Sequence, residues 1–80
     1  MRRYTVVVIK GEEPGVHVAY VPALDVVTQG SSLEHALAMA KEASELVVED
    51  FVDRGEAVPE EEPGAVVSTI EVEAPATVLA

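Results

Sequence analysis

The sequence predicts a two-layer α+β domain, in the order β-β-β-α-β, with one long helix packed on an antiparallel three-stranded core. Three observations carry that expectation. Short valine-rich runs alternate with Gly- and Pro-containing turns over the first third of the chain. A single long stretch then places apolar residues at helical spacing. After an acidic loop with two prolines, apolar and polar residues alternate once more, as in a half-buried strand. Strands grouped before a helix, rather than interleaved with several, point to α+β.

Eighty residues make one domain with a small core. Only Tyr4, Tyr20 and Phe51 are aromatic, so that core must come from Val, Leu, Ile and Ala. Valine favours strands because its branched β-carbon suits a pleated surface. The net charge of −10 would repel phosphates, which argues against direct nucleic-acid binding. It suits a basic partner, and equally it suits plain solubility. With no cysteine, disulfides, thiolate chemistry and thiolate-ligated metals drop out. The apolar run after Met1-Arg2-Arg3 ends at Lys10, too early for a signal sequence, and no run approaches a membrane span. A cytoplasmic protein is the expectation.

Residues 4–10, YTVVVIK, read as a first strand, so continuous in β-branched residues that both faces are expected to be covered. The turn Gly11-Glu12-Glu13-Pro14-Gly15 leads to a second strand, residues 16–21, and the short connection makes an antiparallel hairpin. In it Val16, Val18 and Tyr20 share one face, and His17, Ala19 and Val21 the other. Pro22 stops that strand or marks an edge. Residues 25–29, DVVTQ, form a third, ended by Gly30.

A helix follows over residues 32–53, stopping near Gly55. Ser31 with Glu34 three residues on makes a capping box, and Ser32 is the alternative cap. Leu33, Leu37, Ala40, Ser44, Val47, Val48 and Phe51 share one face, with Glu42, Glu45, Glu49 and Asp53 opposite. Small residues at mid-helix would let it sit close to the sheet. Met39 and Leu46 widen the apolar stripe on one flank, as core or as a subunit contact, with core favoured. Residues 65–73, AVVSTIEVE, read as a fourth strand, able to run parallel to the first. The domain is thus residues 1–74, with a loose tail at 75–80.

Chemistry is hard to build from these residues. His17 and His35 lack the spacing of metal ligands. Ser31 and Ser32 lie near His35, but the helix start already explains them. The first strand carries no carboxylate for a two-metal site. The glycines around Glu12 and Glu13 form no phosphate cradle. The expectation is no catalytic residue, no metal and no cofactor. What is left is an interaction module with an acidic surface and open strand edges.

The ordered motifs carry a resemblance. Tyr4, Val6 and Val8; Val18, Pro22 and Leu24; Thr28 and Gly30; Glu34 and Ala36; Ala40, Glu42 and Ala43; then Gly55 and Pro59 follow one another as in the HicB-like antitoxin family of toxin–antitoxin pairs. The chain departs from that pattern at Asp25-Val26-Val27, where the family usually has Pro-Gly-Cys, and at His35, where it has a second Glu. The resemblance implies a partly degraded RNase H-like fold without nuclease activity. It implies a small, basic HicA-type mRNA interferase as partner, neutralised by masking of its RNA-binding surface. Many members carry a C-terminal DNA-binding domain that binds the operator, whereas this chain ends at Ala80 after one strand and a tail, so autorepression by this chain alone is not expected. On this reading the partner-binding acids are Glu12, Glu13, Glu42, Glu45, Glu49, Glu60, Glu61 and Glu62. An orphan interaction domain of the same fold, without a toxin, is the alternative. Self-association into a homo-oligomer, dimer or higher, is expected from the valine-rich strands and the Met39/Leu46 flank.

Overall fold

A computed structural model describes residues 2–61 and 63–75. Three strands, β1 (Val7–Lys10), β2 (His17–Val21) and β3 (Val26–Gly30), form one antiparallel sheet in that order, and α1 (Leu33–Asp53) packs on one side of it. The hairpin register pairs Val7 with Tyr20 and Lys10 with His17; on the other side Ala19 faces Thr28 and Val21 faces Val26. The layout is the α+β arrangement of three strands and a long helix that the sequence predicts.

Register and pleat decide what is buried. Of the two faces of β2, the one holding Ala19 and Val21 turns to the helix, and both residues are buried there with Val26, Leu24, Ala36 and Ala40. Tyr4, Val6, Val8, Ala43, Val47 and Val48 pack around them, half-buried. Three of the six buried hydrophobic residues among those described are alanines, so close approach rather than bulk builds this core. Gly30 shows how close: a β-carbon there would lie 2.7 Å from the His35 carbonyl carbon and closer still to the Ala36 amide nitrogen.

A short 3-10 turn, Pro22–Leu24, carries the chain from β2 to β3. It drops Leu24 into the core and ends at Asp25 with φ 53°, a left-handed conformation that costs a non-glycine residue about 1 kcal/mol. The helix begins at Ser32, whose hydroxyl accepts from the His35 amide at 3.0 Å. It ends in a Schellman motif. Gly55 adopts φ 67°, its N–H donates to the Val52 carbonyl, and the Glu56 N–H donates to the Phe51 carbonyl, each at 3.0 Å. Arg54 closes that end, ion-paired to Asp50 at 3.0 Å and Glu56 at 2.9 Å, with its guanidinium over the Phe51 ring.

Four expectations are corrected. Residues 65–73 form no strand: the segment from Pro63 to Pro75 is an exposed arm, and Val66 and Ile70 are 82% and 85% accessible. β1 is covered on one face only, so Ile9, Tyr20 and Val27 stand on a bare outer sheet face. On the helix Ala36 and Ala40 are buried and Ala43, Ser44, Val47, Val48 and Phe51 half-buried, while Leu33 and Leu37 of the expected face are exposed; Leu33 lies a turn before the close contact with the sheet at Gly30. Met39 and Leu46 also lie outside the core, on the exposed flank of the helix. Residues 76–80 of the expected tail fall outside the described residues. No helix is long and apolar enough to cross a membrane among those described.

Candidate partner-binding surface

Helix geometry places Glu42, Glu45 and Glu49 at i, i+3 and i+7, on the side opposite Ala36 and Ala40. All three are exposed and have no ion-pair partner among the described residues. The sheet holds α1 along its buried stripe, so this row of carboxylates sits on a fixed rod. Glu12 and Glu13 project from the β1–β2 turn, also exposed. The Gly11 N–H donates to the Val16 carbonyl at 2.7 Å, and the Val16 N–H to Glu13 at 3.2 Å, which ties the turn down.

The remaining loop acids behave differently. The Glu61 carboxylate accepts the Thr5 N–H, and Glu60 lies 3.7 Å from the Arg2 guanidinium. Tyr4 donates its hydroxyl to the Pro59 carbonyl at 2.6 Å. These contacts pin the loop after α1 to the segment entering β1. Glu61 is therefore half-buried and engaged within the chain rather than offered outward. Glu62 falls outside the described residues. The sequence groups Glu60, Glu61 and Glu62 as one acidic run; the structure engages Glu60 and Glu61 with the N-terminal segment, and nothing in the local pattern signals a partner as distant as Thr5.

The helix start places serine and histidine together. Ser32, not Ser31, is the cap, and His35, not Glu34, is the third helical residue that answers it. His35 Nδ1 accepts the Ser31 backbone N–H at 2.9 Å and lies 3.1 Å from Ser31 Oγ. An imidazole nitrogen has one lone pair in the ring plane, and the backbone amide occupies it. The pair closes the helix end and sits exposed. On the inner sheet face, His17 Nδ1 and Thr28 Oγ1 are enclosed without a hydrogen-bond partner among the described residues. Among the described residues no three His, Cys, Asp or Glu side chains converge as metal ligands would.

One concave feature matters. Between the segment entering β1 and α1 runs an open groove of about 590 Å³, whose lining includes Tyr4, Val6, Leu37 and Val48 with the charged Arg2, Lys41, Glu45 and Glu49. It exists because α1 lies chiefly across β3 and β2 and barely reaches β1. Its walls are mostly apolar. No protein-family model and no curated protein matches the chain.

Proposed function

We propose that this chain is a HicB-like antitoxin that binds a small, basic HicA-type mRNA interferase in the cytoplasm and masks its RNA-binding surface, with no catalysis of its own. One observation carries the reading: three exposed carboxylates, Glu42, Glu45 and Glu49, without an ion pair among the described residues, in a row on a sheet-backed helix, in a chain of net charge −10. A surface that grips RNA phosphates presents spaced cations. A rigid row of anions meets such a surface without ordering loops first, which lowers the cost of association. The ordered motif series from Tyr4 to Pro59 favours an antitoxin over an unspecified acidic binder. Within the acid set, the helix row with Glu12 and Glu13 carries the contact, since Glu60 and Glu61 are held by the chain's own N-terminal segment.

The test is co-expression with a small basic HicA-type toxin, reading growth rescue and co-purification. The wild-type chain rescues growth and forms a complex that weakens with added salt. The triple variant Glu42→Lys, Glu45→Lys, Glu49→Lys loses rescue, and its affinity falls about 100-fold. Full rescue by that variant would remove the helix row from the mechanism. The bare outer face of Ile9, Tyr20 and Val27 favours a second reading, an orphan self-associating domain. In that case no complex forms with a toxin shown to be active alone.

A further inference from the structure

Two unsatisfied features of this molecule match each other. The first is the outer edge of β1. The bond from Gly11 to Val16 sets the antiparallel alternation, so Val7 and Ile9 turn their backbone groups to β2, while Val6, Val8 and Lys10 turn theirs to the open edge. Beside that edge lies the apolar groove of Tyr4, Val6, Leu37 and Val48. The second is the arm. In an extended chain Val66, Ser68, Ile70 and Val72 fall on one side, and Val67, Thr69, Glu71 and Glu73 on the other. Its apolar side chains are all exposed, and it reaches away from the body: the Cα radius of gyration is 16.0 Å, against about 12 Å for a compact chain of this length.

We propose that the arm adds as an antiparallel strand to β1 of a second copy, and receives that copy's arm in return. Charge sets the direction. Antiparallel pairing puts Glu73 beside Arg3, Val67 beside Ile9 and Val66 beside Lys10, with Ile70 and Val72 over the groove beside Val6 and Tyr4. Parallel pairing carries Glu73 toward Glu12 and Glu13, like charges at close range. Chain reach sets the partner. Glu61 is held at Thr5, so to run antiparallel on its own β1 the arm must enter near Lys10. That is roughly 17 Å at about 3.3 Å per residue, the full reach of the five residues from Glu61 to Val66. The turn at Pro63-Gly64 shortens that reach. A second copy has no such limit, and reciprocal exchange closes a two-fold dimer. The exchange requires no toxin.

The absence of cysteine makes the test direct. Two single variants of the full chain, Ile9→Cys and Val67→Cys, are mixed and oxidised, and each is also oxidised alone. A disulfide between the two variants, with a mass twice the 8.5 kDa of one chain, is expected only from the mixture. Light scattering of the cysteine-free chain at high concentration should give the dimer mass, lost in Ile70→Asp. A monomer at high concentration, a dimer that survives Ile70→Asp, or no cross-link in the mixture overturns the exchange.

Discussion

Residues 4–10 and residues 65–73 are made of the same material: valine, isoleucine and threonine with a few polar residues between. In the first segment four residues become strand β1; the second is an extended arm in solvent. Intrinsic preference does not separate them. Position does. β1 is one short turn from β2, which supplies both a hydrogen-bond ladder and a buried face. The arm follows a loop fastened at Pro59 and Glu61, and among the described residues no strand pairs with it. A β-prone segment is a fit to a half-buried pleated surface, and it stays unpaired until such a surface is within reach.

The contrast can be broken with one substitution placed twice. Val26→Asp buries a charge in the core beside Val21 and Ala40, and is expected to cost about 4 kcal/mol, enough to unfold much of the population of so small a domain. Circular dichroism at 222 nm would read it as lost helix. Gly30→Val comes next. Its side chain would strike the backbone of α1, for a loss of about 3 kcal/mol and a melting point lower by roughly 12–24 °C. The cap sharpens the comparison at smaller scale. Ser32→Ala should cost about 1 kcal/mol in denaturant unfolding, whereas Ser31→Ala should cost under half of that, because Ser31 contributes its backbone amide rather than its side chain. Val66→Asp, the arm counterpart of the first change, is expected within about 0.5 kcal/mol of wild type in dilute protein.

Where the signal was local, the sequence was readable. The hairpin, the Pro22 stop, the helix span, its acidic face and its end at Gly55 all rest on neighbours within a few residues, and the structure has each of them. What escaped depends on distant partners. Ser31 and Ser32 are interchangeable as caps by pattern; the cap falls on Ser32. Leu33 shares the apolar phase of α1 but lies a turn before the helix meets the sheet. A run of β-branched residues in β1 gives no clue that only one layer covers it. Periodicity marked residues 65–73 as a strand, and periodicity cannot say whether a partner strand stands beside them. For the surface acids, the row on α1 follows from helical spacing, while the capture of Glu61 by Thr5 spans 56 positions and leaves no trace in composition.

The central claim is that the arm obtains its partner from another copy. Amide hydrogen exchange of residues 66–73, measured in dilute and in concentrated protein, tests it most directly. Exchange is predicted to be fast in dilute protein and strongly slowed in concentrated protein, with the β1 edge amides of Val6 and Val8 slowing in step. Equal protection at both concentrations would mean that the arm pairs within its own chain, and no protection at either would mean that it pairs with nothing; each result would contradict the account.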